Sequence, residues 1–129
     1  MVQTLVQQGQ VWPCMIPFGE VEEAKERPVV VLGWRGFSVA NGDRHFLVVP
    51  SSTFNGDPTK ARESDIRLAD WKVAGLGEGS FIQCARLWSL APAAFDFTQP
   101  LKGTVDSADL NAIMTEVAKL FGVTGFVGV

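Results

Sequence analysis

Metal-binding side chains are scarce in this chain. It has one histidine, His45, and two cysteines, Cys14 and Cys84, and none has a partner at metal-ligand spacing. The thiols therefore read as reduced core residues, the histidine as a structural or surface group, and no metal or cofactor is expected. No apolar run approaches the ~20 residues needed to cross a bilayer. The first ten residues, MVQTLVQQGQ, carry no basic patch ahead of an apolar core, so no secretory signal or membrane partner is expected and a cytoplasmic location follows. The glycines of Gly75-Leu-Gly77-Glu-Gly79 lack the Lys-Ser/Thr of a phosphate loop and read as a turn. Ser51, Ser52 and Thr53 contain no nucleophile elbow, which disfavours acyl transfer. An excess of positive charge is also missing. The net charge is −3 and the pI about 5.0, which argues against non-specific duplex binding and leaves no reason to expect DNA as a partner.

What is present is a globular balance. The 129 residues are 47% hydrophobic and 19% charged, with 13 glycines and 7 prolines, enough to make turns frequent. No repeat or linker is visible, and residues 1–129 are expected to form a single domain with its core at about 9–122 and an irregular tail at 123–129. Gln10 to Ile16 reads as a strand whose Pro13 puts it at an edge or bulge. Val29–Leu32 and Phe46–Val49 are continuous apolar runs suited to strands buried on both faces, with an Asn41-Gly42 hairpin signal before the second. Asn55-Gly-Asp-Pro58 marks a turn, and Ile66 with Leu68 a short strand. The stretch FIQCARLWSL reads as one more strand from Phe81 to Leu90, and AFDFTQP as a last extended piece. Leu110, Ile113, Met114, Val117, Leu120 and Phe121 fall on one helical face, with Asp106 or Ser107 as cap and Gly122 as stop. Asp106 and Asp109 fit the helix dipole. The fold class expected is mainly β (α+β): a small SH3-like barrel of short, strongly bent antiparallel strands closed by a C-terminal helix.

The stretch Lys25-Glu-Arg-Pro-Val-Val-Val-Leu32 joins a permanent cation to a proline and then to a buried strand. Proline confines the preceding residue to extended geometry, so Arg27 projects in a set direction from the mouth of that strand. One reading makes it a surface ion-pair partner of Glu20, Glu22, Glu23 or Glu26. The other makes it a preorganised donor fork for phosphate oxygens. Trp12, Trp34, Trp71 and Trp88 read as core, although Trp34 and Phe37 beside Arg35 also suit base stacking.

Taken in order, GQVW at 9–12, KERPVVVL at 25–32, VPSST at 49–53, AGLGEGSFIQC at 74–84 and LKGTVDSADLNAIMTEVAKLFG at 101–122 resemble the PemK/MazF-like endoribonuclease toxins. In that family a Gly-x-Val-Trp strand leads to an Arg-Pro and a valine-rich strand, then to a Pro-x-Thr-Ser/Thr segment. The resemblance spans roughly 9–122 and rests on shared order rather than on any one piece. It implies a small barrel, a homodimer, a cognate antitoxin, and metal-independent cleavage of single-stranded RNA by attack of a 2′-hydroxyl on its adjacent phosphate. Carried over, Arg27 matches the family's catalytic arginine, Ser52 its usual catalytic threonine, and Thr53 the next hydroxylated position. RNA-binding positions are expected at Lys25, Glu22, Arg35, Phe54 and Gln83.

There are departures. Gln83 and Ala85 replace the arginine and aspartate common around the family's cysteine, no histidine occupies 18–26, and that loop is acidic. The general base is unassigned. Two other functions fit the same barrel: a target-binding toxin of the gyrase-poisoning CcdB type, whose terminal tryptophan is replaced here by Phe126-Val-Gly-Val129, and a catalytically silent interaction domain.

Overall fold

A computed structural model describes residues 6–17, 24–38 and 43–122. Three long strands carry the fold: β1 (Gln10–Pro17), β2 (Ala24–Ser38) and β3 (Asp43–Ser52). Four short ones follow, β4 (Asp65–Arg67), β5 (Phe81–Gln83), β6 (Trp88–Leu90) and β7 (Gly103–Thr104), then one helix, α1 (Ser107–Lys119). Every pairing is antiparallel, in the order β4-β5-β3-β2-β1-β7, with β6 also on β3. The result is a curled half-barrel with a single C-terminal helix, as the sequence predicts.

Both faces of β2 are covered at Val29–Leu32, which explains its unbroken apolar run, whereas in the Phe46–Val49 run of β3 Leu47 is exposed, so that expectation holds for Phe46, Val48 and Val49 only. On one face Val11, Val30, Leu32, Val49 and Ile82 pack with Ile113 and Val117 of α1. On the other, Trp12, Cys14, Val29, Val31 and Val48 pack with Phe46, Leu90 and Phe95. Val29, Val30 and Val31 are all fully buried. Cys14 and Cys84 are buried free thiols, as expected.

Prolines fit this ladder because of where they point. Pro13 of β1 stands opposite Pro28 of β2, and both carbonyls face away from that shared rung, so neither missing N–H removes a hydrogen bond between β1 and β2. Pro13 lies beyond the two residues of β1 that pair with β7, and its carbonyl accepts from Asp96 N–H at 3.0 Å. The carbonyl of Pro28 accepts from Ser51 Oγ at 3.2 Å.

Several sequence expectations need correction. β2 begins at Ala24, so Arg27 lies inside the strand and not at its mouth. The proline pairing is what permits this extension. The stretch 81–90 is two strands. A turn closed by Arg86 N–H to Gln83 O (3.0 Å) divides it, and its halves pair with different parts of β3. AFDFTQP is not a strand beyond a single Cys14–Phe95 bridge. Asp96 instead forms a turn, accepting from the backbone N–H and the hydroxyl of Thr98. These hydrogen bonds hold the Asp96 carboxyl below the usual carboxylate range, the Thr98 hydroxyl contributing most. β7, too short to show periodicity, was not anticipated. The Asn41-Gly42 turn and the tail 123–129 lie outside the described residues.

The helix starts at Ser107 with Asp106 as its cap, accepting from Ala108 N–H at 3.2 Å. Asp109 does more than complement a dipole. It is buried, and its two carboxylate oxygens accept from Ala69 N–H (3.2 Å) and Asp70 N–H (3.0 Å), tying the helix to the chain just after β4. Close packing also fixes the segment before β7. A Cβ on Gly75, whose φ is +72°, would stand 1.9 Å from the Lys102 carbonyl oxygen. Gly75→Ala should therefore lower the unfolding free energy by about 3 kcal/mol in chemical denaturation. Gly77→Ala, which meets nothing within 4 Å, should change it by less than about 0.5 kcal/mol.

Candidate functional site

The residues singled out from sequence fall on one corner of the sheet because of strand register. β2 pairs with β3 as far as Val29 to Pro50, and alternation along each strand from that pair puts Arg27 and Ser52, each two residues beyond it, on the same sheet face. The Ser51–Pro28 hydrogen bond lies at the intermediate rung and carries the alignment outward. Ser52 in turn pairs with Phe81 of β5, and Phe81 with Arg67 of β4. Residues directly opposite share a face. Ser52, Phe81 and Arg67 therefore make one row across β3, β5 and β4, at roughly 4.8 Å per strand, and Arg27 lies on the same face of β2 just past its last pair with β3. Gln83, two residues from Phe81 and opposite Asp65, lies on the same face one row away.

Arg27 is half-buried and engaged in an interaction of its own. Its neighbour Glu26 has opposite parity on β2 and accepts from Gln99 Nε2 at 2.9 Å. Opposite Arg27 on its other side is Cys14. Burial, aided by the nearby Glu26 charge, pushes the Cys14 thiol up to about 12. Burial does the same to Cys84, again to about 12, with Glu116 and Asp65 adding to it. Neither thiol is a nucleophile at neutral pH.

Ser52 ends β3 in a turn held by its own hydroxyl: Phe54 N–H donates to Ser52 Oγ at 3.0 Å. The turn is strained. Phe54 (φ +52°) and Asn55 (φ +56°) both occupy the left-handed region, which is costly for phenylalanine at about 1–2 kcal/mol. Hydrogen bonds from Gly56 N–H to Thr53 O (2.9 Å) and Asp57 N–H to Phe54 O (3.1 Å) stabilise it, and the Phe54 ring packs against Phe81 with centroids 5.7 Å apart. Thr53 is exposed at its head.

Beside this turn opens a cleft of about 320 Å³. Thr53 and Pro58 contribute from the turn, Arg67 from β4, and Glu78, Gly79 and Phe81 from the glycine-rich loop and the start of β5. The Arg67 guanidinium lies 5.8 Å from the Phe81 ring centroid. Sequence reasoning missed Arg67, Glu78 and Phe81. The glycine-rich loop is a turn, as predicted (Gly79 φ +78°), but it also walls the cleft. No local motif announces Arg67; only the β4–β5 pairing brings it to this row.

The remaining expected positions scatter. Lys25 is exposed and lies two residues from Arg27 on the same face of β2. Arg35 lies on β2 opposite His45, far along the strand from Ser52, and its side chain is outside what is described. Glu22 lies outside the described residues, as do Glu20 and Glu23. His45 is exposed with Nδ1 3.4 Å from Ser89 Oγ, a surface role.

Comparison with solved structures places this architecture among known folds. A MazF from Deinococcus radiodurans superposes with TM-score 0.67 at 17% identity, covering 94% of this chain and all of that one. An endoribonuclease in complex with its cognate antitoxin, from a mycobacterial species, gives 0.62 at 16% identity over 93% and 98%. The Mycobacterium tuberculosis toxin MazF-mt6 gives 0.59 at 15% identity over 89% and 98%. The chain thus has the fold of MazF toxins. No family model and no curated relative matches the sequence.

Two measurements check this local chemistry. Ser52→Ala should lower stability by about 1 kcal/mol, because Phe54 N–H loses its acceptor, while Ser52→Thr should retain most of it. Both thiols should resist a thiol reagent at pH 8 until the protein is unfolded. Their raised values also mean that the stability they confer is full below the ordinary thiol range (~8.5) and is lost as pH climbs towards 12, visible as a falling unfolding free energy in alkali.

Proposed function

We propose that this protein is an endoribonuclease toxin that cuts single-stranded RNA in the cytoplasm, acts as a homodimer, and is held inactive by a cognate antitoxin. The observation that carries the reading is the cross-strand register: a half-buried arginine, stiffened by the proline after it, shares a sheet face with a serine that ends the next strand. Structures of an endoribonuclease–antitoxin complex and of MazE–MazF from Deinococcus radiodurans, the latter at TM-score 0.63 and 14% identity, support the same direction.

The chemistry asks little of the protein. The 2′-oxygen of the substrate attacks the adjacent phosphorus, the P–O5′ bond breaks, and the products are a 2′,3′-cyclic phosphate and a 5′-hydroxyl. The proton lost from the 2′-hydroxyl is balanced by the one gained at the leaving 5′-oxygen. In between, negative charge builds on the non-bridging oxygens. Arg27 meets that charge with fixed, permanently ionised donors, and the hydroxyls of Ser52 and Thr53 add donors alongside. The Ser52 hydroxyl already accepts from Phe54 N–H, which leaves its proton available for donation. Because the nucleophile belongs to the RNA, the reaction proposed needs no metal. Lys25 draws in the phosphate backbone, and Gln83 and Phe54 contact bases near the cut.

Incubation of the purified protein with mixed-sequence single-stranded RNA in EDTA should yield fragments ending in cyclic phosphate. Arg27→Ala, with unchanged melting temperature, should cut at least about a hundredfold more slowly. Cleavage that requires Mg²⁺, or equal rates for the two proteins, would overturn this mechanism. The other reading, a silent interaction domain, draws its support from the acidic 20–26 segment and from Gln83 and Ala85.

A further inference from the structure

The cleft beside Thr53 holds an unusual set of groups. Arg67 and Glu78 line it together, yet among the described residues neither forms an ion pair with the other or with any other charge. Opposite charges that share a small cleft and stay apart leave a gap between a planar donor and a planar acceptor. At about 320 Å³ the cleft is at the small end for ligand sites, suited to one ring system. Phe81 supplies an aromatic wall, and the Arg67 guanidinium carbon lies over its ring, 5.8 Å from the centroid, with its N–H donors free of any charged partner among the described residues. A phosphate does not fit this set, since Glu78 would repel it.

We propose that this cleft is a guanine-selective base subsite serving the RNA site, an inference that rests on the ribonuclease reading. Among RNA bases, guanine alone carries an adjacent acceptor pair, O6 and N7, and an adjacent donor pair, N1–H and the 2-amino group. A guanidinium matches the first bidentately and a carboxylate the second. Adenine and uracil lack both pairs, and cytosine, with acceptors at N3 and O2, lacks the donor pair. Unpaired bases splayed from a single strand are read in this way, edge by edge with a stacking wall. Position agrees as well. Arg67 stands two strands from Ser52 in the same row, roughly 10 Å, which places the recognised base within about two nucleotides of the scissile phosphate. Thr53 belongs to both places, being next to Ser52 in sequence and part of the cleft wall. Arg67 and Glu78 are thus specificity-determining and not catalytic residues.

The test uses uridine pentanucleotides with every 2′-hydroxyl replaced by fluorine, so that they bind without being cut. The central base is guanine, inosine, adenine or uracil, and affinity is read by fluorescence anisotropy, with backbone amide shifts locating the contact. Guanine should bind about tenfold more tightly than adenine or uracil. Inosine, which lacks the 2-amino donor, should fall between. Gly79 and Phe81 amides should shift most. Glu78→Gln should abolish the guanine preference with the fold unchanged by circular dichroism. Arg67→Ala should abolish it too. Equal affinities for the four bases would overturn the proposal. So would a guanine preference that survives both substitutions, or displacement of the Gly79 and Phe81 shifts only by an acidic peptide, which would mark the cleft as a protein-docking site. Because these probes bypass cleavage, a protein that prefers guanine but cuts nothing would refute the ribonuclease reading and leave the subsite standing.

Discussion

Pairing between β2 and β3 is the constraint on which the rest depends. Both strands are apolar on two faces, so a slip of one residue would exchange every buried side chain with one that packs elsewhere. Val29, Val31 and Val48 belong to one core, while Val30 and Val49 belong to the other. That double lock fixes the register to the residue. Arg27 and Ser52, each two residues past the last pair, inherit from it a common sheet face. The proline rung and the Ser51 hydroxyl then extend the ladder past the last apolar pair, where hydrophobic burial no longer specifies anything.

From this ladder the site grows sideways. β5 attaches to the end of β3 by two pairs, Ser51–Ile82 and Ser52–Phe81, and β4 attaches to β5. Each added strand brings one more polar or aromatic side chain into the row that starts at Ser52. The strained turn at 54–55 keeps β3 from continuing past its pairs with β5, so the exposed Thr53 hydroxyl follows directly on the last paired residue, Ser52. Strain is tolerated there because the ring of Phe54 is packed and its N–H is satisfied.

Much of this was legible in the residues themselves. Val29–Leu32, Phe46–Val49 and the spacing from Leu110 to Val117 announced two strands and a helix, since burial writes a period into sequence, while Leu47, Leu120 and Phe121, read as part of the same pattern, are exposed, the last two beyond the end of α1. That Arg27 and Ser52 would sit on neighbouring strands was reachable only through resemblance, because nothing local says which strand lies beside which. Ile66 marked β4, but β5 and β6 are too short for periodicity to separate them, and the turn that splits 81–90 is made by backbone hydrogen bonds that any residues could form. Asp109 was misread for a related reason. A carboxylate in the first turn of a helix looks like dipole compensation until a distant backbone is seen donating to it. Arg67 and Glu78 escaped notice because exposed charges are the default on any surface.

The Asp109 clamp has a bearing on how the molecule comes into being. Its carboxylate gathers two backbone N–H groups some 39 and 40 positions earlier in the chain, so the margin that carries Arg67 is tied down only after the last helix has been made. During synthesis the long strands emerge and pair first, while the far wall of the cleft waits for the C-terminal segment to leave the ribosome. A nascent chain is then without a finished cleft until Asp109 has emerged and α1 has docked. On the function proposed above, that order of assembly delays full competence until the helix is in place.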